Sequence, residues 1–341
     1  MLITTEKAKR TLSWLFKKPL ANTIPSLYVL DRAIITLLKT IFILIRILSK
    51  ITFRKNKMTY FQFQRKCHIN TDVNFSFYLF MFFYKLINIL NLGNPSLIKI
   101  YVPKYNYKVY CPATVDDFVN MTTREQDILE HFNPKKNDTV VDIGAHLGRY
   151  ALISSHLVGK EGKVITIEAN PLVFEKLKKN LELNKITNTI CLNYAVFSEK
   201  TKIKLFVRKE ESTNTEYSLR NTVMIDRGKL MAKGSNDAER VLEVNANTLD
   251  NLLDLNGIKQ ESVNWIKIDV EGAELEVLKG ATGVLSKSKD ISLLIEIHNL
   301  GDGQTLYQPI IDLLNNYNFK KEFEVIHESG ERHIVMHKTQ L

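Results

Sequence analysis

The sequence has few cysteines and none of the spacings that cysteine chemistry needs. Of its 341 residues only three are cysteine, Cys67, Cys111 and Cys191, and no two of them form a C-x-x-C pair. A disulfide scaffold, a cysteine zinc site and an iron–sulfur cluster all need more thiolates at closer spacing. The scattered, odd set therefore excludes these classes and fits a reducing compartment.

A secretory signal peptide is also missing from the sequence. The first 25 residues carry basic charge, but no compact apolar core is followed by a small-residue cleavage site. We therefore expect a cytoplasmic protein. The basic and apolar features described next add an alternative, a peripheral position at the inner face of the cell membrane.

Acidic residues are scarce in the first third of the chain. From Met1 to Tyr110 there are 18 Lys and Arg against 3 Asp and Glu, whereas the remainder has 29 basic and 34 acidic residues. Such a basic segment suits phosphates, of nucleic acid or of lipid headgroups. The sequence therefore predicts a basic N-terminal region, residues 1–112, and a second domain, residues 113–341, with different partners.

The apolar run from Ser26 to Phe53 carries a narrow stripe of cations. Arg32, Lys39, Arg46 and Lys50 are spaced seven, seven and four residues apart, which places them on one face of a helix. Two central charges cost about 5–7 kcal/mol in a membrane span and roughly cancel the apolar gain. A helix in the membrane interface is the favoured interpretation. Packing on the second domain or on a second copy of the chain, and a true span, are the alternatives.

A second apolar run, Phe75–Leu90, has ten uncharged residues before Lys85, too few to span a bilayer. Between the two runs, basic residues alternate with aromatic ones, a pattern that suits single-stranded nucleic acid as well as a lipid interface. This segment does not decide between the two partners.

From about residue 115, short apolar runs alternate with helical patterns, which indicates a mostly parallel sheet covered by helices on both faces. The clearest strands are Thr139–Gly144, Lys163–Ala169, Asn264–Val270 and Ile291–His298. Two closing runs predict an antiparallel edge hairpin. The polar segment Arg208–Arg240 has no periodicity and is long for a connection, so it is predicted to be a variable lid or loop.

The first predicted strand leads into a glycine turn without the dinucleotide spacing G-x-G-x-x-G. Gly144 and Gly148 are four residues apart, Asp142 precedes them, and Glu168 follows Gly144 by 24 residues. That second acid is placed to meet the ribose of an adenosine ligand. Because Asp142 would repel a pyrophosphate, the pattern favours a cationic methyl donor, S-adenosylmethionine.

The motifs DIGAHLGRYAL, IEANP, NYAV, NTLDNLL, IKIDVEGAELEVLKGA and IEIH follow one another in this order. In order and spacing the chain resembles the FkbM family of S-adenosylmethionine-dependent methyltransferases over roughly residues 115–340. The resemblance implies a class I methyltransferase fold, Rossmann-like, with a seven-stranded sheet and an antiparallel last strand. It also implies O-methylation of hydroxyls on sugars and natural products.

The resemblance further implies which residues bind the donor. Those expected to line the methionine half are Asp142, Gly144, Ala145 and Gly148. Glu168 would bind the ribose with help from Asn170, and Asn193 and Ala195 belong to the adenine side. His146 has two interpretations, since it either orients the donor carboxylate or is a turn histidine facing solvent.

Methylation of an alcohol needs a group that takes up the hydroxyl proton. The candidates are Asp269 and Glu271 at the end of one predicted strand and His298 at the end of another. Glu296 is on the same face of that second strand as His298. If the two strands are adjacent, His298 acts as a general base beside Asp269, or these groups hold a divalent metal. The metal is the less favoured alternative. Lys267 points to the same side as Asp269 and is predicted to form an ion pair there.

Three functions remain open at this point. The favoured one is an O-methyltransferase acting on a glycan, a lipid-linked saccharide or a related small molecule, with an anionic membrane surface and a homodimer as further partners. An RNA ribose methyltransferase and a non-catalytic donor-binding membrane scaffold are the alternatives. The planar N/D-P-P-F/Y clamp of base methylation is replaced by DVEG, which argues against methylation of nucleic-acid bases.

Overall fold

The computed structural model describes residues 97–102, 107–112, 121, 125–208, 221–222, 239–301, 304–327 and 330–339. The predictions for the apolar runs Ser26–Phe53 and Phe75–Leu90 lie outside these residues, as does the boundary near residue 113. Within the described part of the chain, no helix combines the length and the hydrophobicity that crossing a membrane requires.

The described strands are β1 (Leu97–Val102), β2 (Tyr107–Pro112), β3 (Thr139–Ile143), β4 (Lys163–Ile167), β5 (Thr189–Leu192), β6 (Ala195–Val196), β7 (Thr201–Arg208), β8 (Asn221–Thr222), β9 (Glu239–Asn247), β10 (Val263–Ile268), β11 (Asp290–Ile297), β12 (Asn299–Gly301), β13 (Gln304–Thr305), β14 (Lys320–Ile326) and β15 (Arg332–Thr339). The described α-helices are α1 (Gln126–Leu129), α2 (Arg149–Val158), α3 (Pro171–Leu183), α4 (Leu249–Leu255), α5 (Glu274–Lys279), α6 (Thr282–Lys287) and α7 (Tyr307–Asn316). A short 3₁₀ turn covers Gln260–Ser262.

The central sheet has seven strands in the order β14-β15-β11-β10-β3-β4-β5. Strands β11, β10, β3, β4 and β5 pair in parallel. The last strand, β15, runs antiparallel to both of its neighbours. This is the predicted class I methyltransferase sheet, and the predicted closing hairpin is β14–β15. The chain order reverses at β3, which has β4 on one side and β10 on the other, and ligands bind at such a point in open α/β sheets.

The inner strands are almost entirely apolar because helices cover both faces of the sheet. All five residues of β3 are buried. Val141, Ile165, Ile266 and Ile295 belong to one core cluster, and each has 0% of its surface exposed. This core holds the carboxyl ends of β3, β4 and β10 side by side, so the polar residues that follow these strands meet at one edge.

Helix α3 begins where its sequence signals predict. Pro171 occupies the first turn, and the side chain of Asn170 caps the helix by accepting a hydrogen bond from the Leu172 N–H at 3.0 Å. The cap matters for the site because Asn170 also contacts the carboxylate of Glu168, as described below.

A second sheet, in the order β6-β9-β7-β8, lies outside the central one. The stretch TICLNYAV is divided into β5 and β6, which belong to different sheets. Asn193 lies at the division, and its side-chain amide donates to the carbonyl oxygens of Glu168 at 2.8 Å and Ala169 at 3.2 Å. Of the predicted lid, Arg208–Arg240, only the two ends and the short β8 are described, so its role stays a prediction.

Strands β1 and β2 pair as an antiparallel hairpin. Its Lys108 N–H donates to Asn184 Oδ1 at 2.7 Å, directly after α3, and its Tyr107 hydroxyl donates to the Met121 carbonyl at 2.6 Å. The hairpin is therefore attached to the methyltransferase fold through α3.

Candidate active site

A cavity of about 720 Å³, partly continuous with solvent, lies at the carboxyl ends of β3, β4 and β10. The predicted site residues that line it are Gly144, His146, Glu168, Ala195, Asp269 and Glu271. Those that do not line it are Asp142, Ala145, Gly148, Asn170, Asn193 and His298. Tyr194, within the stretch Asn193–Val196 expected on the adenine side, is also part of the wall, as is Leu205, which the sequence did not indicate.

Gly144 brings the first glycine turn against the backbone of the next strand. Its φ is +75°, and a Cβ built on it would lie 2.8 Å from the carbonyl carbon of Asp269 and closer still to the carbonyl oxygen. The Asp269 N–H donates to the Ile143 carbonyl at 3.1 Å. Only glycine fits here, because a left-handed φ and direct backbone contact are required together.

His146 is part of the cavity wall, and neither of its ring nitrogens has a hydrogen bond within the described residues. Its φ is +51°, and its backbone N–H donates to Glu168 Oε2 at 2.8 Å. Although the residue is only half-buried, both ring nitrogens are inaccessible to water and make no hydrogen bond within the described residues. Burial lowers the pKa of the ring to about 4, so it is neutral. The neutral ring therefore carries one N–H donor and one acceptor.

Glu168 is held in place by two backbone N–H groups. Its Oε1 accepts from Asn170 and its Oε2 from His146, each at 2.8 Å. Burial raises the pKa of this carboxyl to about 7, and the two N–H donors oppose the rise. Each oxygen retains a further lone pair for a ligand hydroxyl. A ribose diol is a chemically suitable partner at this point.

Asp142 is fully buried below the glycine turn, away from the cavity wall. Neither carboxylate oxygen makes a hydrogen bond within the described part of the chain, and Lys267 Nζ lies 3.8 Å from Oδ1. Burial raises the pKa of Asp142 to about 6, while Lys267 opposes the rise. Its predicted contact with the methionine half of the donor stays a prediction.

Lys267 forms the ion pair that the sequence predicts. Its Nζ lies 3.1 Å from Asp269 Oδ2 and donates to the Gly144 carbonyl at 3.2 Å. Burial lowers the pKa of this ammonium, but the carboxylates of Asp269 and Asp142 outweigh burial and hold the pKa above its usual value. A permanent cation therefore links the two acids at the ends of β3 and β10.

His298 follows β11, which lies next to β10 as the catalytic prediction requires. Its Nδ1 lies 2.8 Å from Glu274 Oε1, and its Nε2 lies 3.6 Å from Glu271 Oε2 and 3.8 Å from Asp269 Oδ1. Burial lowers the pKa of the ring, but the carboxylates of Glu271 and Glu274 outweigh it and raise the pKa to about 10. A ring in that state donates a proton, so a role as general base requires that His298 first lose one.

Three residues of this region were missed by the sequence analysis. Glu274 has no exposed surface and accepts from the Gly272 N–H at 2.8 Å. Its signal was the IDVEGAELEV motif, which contains it. Glu125 and His333 form with Glu296 one of two groups that could hold a metal within the described residues, the other being Asp269, Glu271 and His298. No local pattern marks Glu125 or His333, which are distant in sequence.

Comparison with known proteins identifies the family. A model of the methyltransferase FkbM domain matches residues 142–321, more than half of the chain. The chain is 27% identical over 176 residues to the hexuronic acid methyltransferase AglP of Haloferax volcanii, covering 51% of this chain and 62% of that protein. It is 25% identical over 146 residues to methyltransferase 1 of Beauveria bassiana, covering 41% and 57%. The chain thus spans about three fifths of the length of these relatives.

Among solved structures, methyltransferase FkbM from Methylobacillus flagellatus has 16% identity and a TM-score of 0.37, covering 58% of this chain and 43% of that one. Aeropyrum pernix fibrillarin, solved with S-adenosylmethionine, has 14% identity and a TM-score of 0.36, covering 59% and 67%. Since both TM-scores are below 0.5, the assignment rests on the family match and on the strand order. The cavity, with its glycine turn and Glu168, fits the donor of this class, and the chain belongs to the FkbM family of S-adenosylmethionine-dependent methyltransferases.

Proposed function

We propose that the chain transfers the methyl group of S-adenosylmethionine to a hydroxyl of a glycan or a lipid-linked saccharide. The observation that carries the proposal is that Asp269 and Glu271 line the same cavity as Gly144 and Glu168. Residues suited to binding the methyl donor and residues suited to accepting a hydroxyl proton therefore line the same cavity. The name of the relative from Haloferax volcanii, a hexuronic acid methyltransferase, supports a saccharide acceptor.

Each residue has a defined part in this proposal. The donor supplies an activated methyl group on a sulfonium. Glu168 accepts hydrogen bonds from the ribose hydroxyls, and His146 offers a ring nitrogen to the amino-acid end. Asp269, fixed by Lys267 at 3.1 Å, takes up the proton of the acceptor hydroxyl as the oxygen–methyl bond forms and the sulfur–methyl bond breaks. The products are a methyl ether and S-adenosylhomocysteine.

The first test replaces the proposed proton acceptor. Asp269→Asn is expected to lower kcat by about 100-fold or more, because an amide does not take up the proton. The affinity for S-adenosylhomocysteine should change less than about threefold, since the donor groups are untouched. The measurement is transfer of labelled methyl to glycans extracted from cells that lack the gene, with mass spectrometry to find the added methyl.

Asp290→Asn is the matched control, because Asp290 is 69% exposed at the opposite end of the sheet. This variant should leave both kcat and the affinity for S-adenosylhomocysteine unchanged. Full activity of Asp269→Asn would remove Asp269 from the mechanism. Donor binding by the wild-type chain without turnover on any glycan or lipid extract would favour the scaffold alternative over the proposal.

The second test concerns the proposed ribose contact and its pH dependence. Glu168→Gln is expected to weaken S-adenosylhomocysteine binding by about tenfold or more at pH 8, since a hydrogen bond to a charged group is lost. In the wild type the ionised carboxylate is the better acceptor, and burial raises its pKa to about 7. Affinity should therefore increase from about pH 6 to pH 8 and level off above the pKa.

Isothermal titration calorimetry across this range measures both effects. The Gln variant should show no such pH dependence. Glu161→Gln, at an exposed residue just before β4, serves as the control and should behave as the wild type. An unchanged affinity and pH profile in Glu168→Gln would rule out the ribose contact.

The membrane part of the proposal rests on sequence alone. The cationic stripe Arg32, Lys39, Arg46 and Lys50 lies outside the described residues, so peripheral binding at the inner membrane face stays a prediction. It is attractive for this function because a lipid-linked saccharide would be presented at that surface.

A further inference from the structure

We propose that Asp269, Glu271 and His298 form a binding site for a divalent first-row metal ion, of the Mn²⁺ type, behind the part of the cavity wall formed by Asp269 and Glu271. Binding of the ion is independent of the acceptor, whereas its catalytic role rests on the proposed function.

The distances between the three side chains are those of ligands that share an ion. One ligand atom from each lies within 4.8 Å of the others. His298 Nε2 is 3.6 Å from Glu271 Oε2 and 3.8 Å from Asp269 Oδ1. These separations are too long for hydrogen bonds. They match the spacing of about 3–4 Å between two atoms that each lie about 2.1 Å from one metal.

The orientation of His298 is an independent observation. Only 2% of the residue is exposed, and Nε2 makes no hydrogen bond to any residue in the described part of the chain. Its Nδ1 is bound to Glu274, which is itself buried and held by the Gly272 N–H. A carboxylate on Nδ1 is the usual partner of a metal-binding histidine, because it fixes the ring and directs Nε2 to the ion. Nε2 faces the carboxylates of Asp269 and Glu271 at 3.8 and 3.6 Å, the arrangement that a shared ion would need.

The second candidate group, Glu125, Glu296 and His333, is less suited to a metal. His333 Nδ1 lies 2.7 Å from His327 Nε2, and His333 Nε2 lies 3.3 Å from Glu296 Oε2. Both ring nitrogens of His333 are therefore engaged with protein groups. Of the two groups, only the one around His298 offers a nitrogen that is both fixed and unused.

The ligand set defines the kind of ion. One imidazole and two carboxylates form a mixed nitrogen and oxygen set, which suits Mn²⁺, Fe²⁺ or Zn²⁺ better than Mg²⁺. Glu296 Oε1 lies 3.6 Å from His298 Nε2 and adds negative charge on the same side. An ion held by these residues would make an acceptor hydroxyl beside it more acidic.

The test is a Mn²⁺ titration followed by electron paramagnetic resonance, with the full chain and no donor or acceptor. The wild type should convert the free-ion signal to a bound one with a single stoichiometric site. His298→Ala and Glu271→Gln should each weaken binding by about 100-fold. Glu274→Gln should weaken it by about tenfold, as expected for a partner that only orients the ligand. Mn²⁺ should also raise the melting temperature of the wild type and not that of His298→Ala.

His156→Ala, at an exposed residue of α2, is the control and should bind Mn²⁺ as the wild type does. Circular dichroism establishes that each variant is folded, and Glu271→Gln carries the test if His298→Ala is not. The proposal is overturned if the wild type leaves the Mn²⁺ signal free, or if binding persists in folded His298→Ala and Glu271→Gln. Mn²⁺ binding without methyl transfer would count against the proposed function alone, and transfer without Mn²⁺ binding against the metal site alone.

Discussion

Gly144→Ala is expected to abolish donor binding and to lower the free energy of unfolding by about 3 kcal/mol or more. The methyl group adds backbone strain at a φ of +75° and overlaps the carbonyl group of Asp269. Such strain costs about 1–3 kcal/mol, and overpacking adds about 1–3 kcal/mol. Because the obstructing atoms are backbone, relief requires that β3 and β10 move apart. Urea denaturation measures the loss of stability, and calorimetry with S-adenosylhomocysteine measures the loss of binding.

Gly257→Ala is the matched control for this substitution. Gly257 also has a positive φ, +67°, but a Cβ there would have no atom within 4 Å. Only the backbone strain remains, about 1 kcal/mol, and donor binding should be unchanged. If the two substitutions lowered the free energy of unfolding by the same amount, the overlap with Asp269 would contribute nothing to the cost of Gly144→Ala.

Lys267→Met is expected to lower the free energy of unfolding by about 3–5 kcal/mol, because removal of one partner leaves a buried charge without compensation. Lys267 Nζ lies 3.8 Å from the fully buried Asp142 and 3.1 Å from Asp269. The loss should depend on pH. Burial already raises the pKa of Asp142 to about 6, and without Lys267 it rises further. The cost of Lys267→Met therefore grows as the pH rises above about 6. It is smallest below about 6, where Asp142 is protonated in the folded state of both the wild type and the variant.

A double-mutant cycle isolates this ion pair. Asp142→Asn combined with Lys267→Met should recover at least half of the lost stability, since the uncompensated carboxylate is gone. Lys202→Met removes a pair in which Lys202 and Glu243 are 2.7 Å apart but well exposed, and should leave the free energy of unfolding nearly unchanged. Equal losses at the buried and the exposed lysine, or a loss at Lys267 that is independent of pH, would contradict the role given to Asp142.

Much of the fold was predictable because it depends on local signals. The apolar run of β3, the glycine turn and the Asn170–Pro171 start of α3 each specify their structure within a few residues. The sequence motifs also predicted that β10 and β11 carry facing groups, and Lys267 pairs with Asp269 as its alternation along the strand requires.

The features that were not predicted depend on contacts between distant parts of the chain. The division of TICLNYAV follows from hydrogen bonds that Asn193 makes with the chain after β4. The contact of His298 with Glu274 joins residues 24 positions apart, from a strand end and a helix start. His146 was left with two interpretations, because only burial of its ring nitrogens distinguishes them. Periodicity carries no information about such pairings.

The backbone contact of Gly144 with Asp269 also limits how the active site can move. With no side chain between them, the turn after β3 and the turn after β10 are in direct backbone contact, and Lys267 donates to the Gly144 carbonyl. We therefore expect the two turns to move together. We expect entry of substrates and exit of products to depend more on the opposite wall, where Ala195, Val196 and Leu205 of the second sheet line the cavity. Selection for new acceptors can therefore remodel that wall while the catalytic geometry is kept.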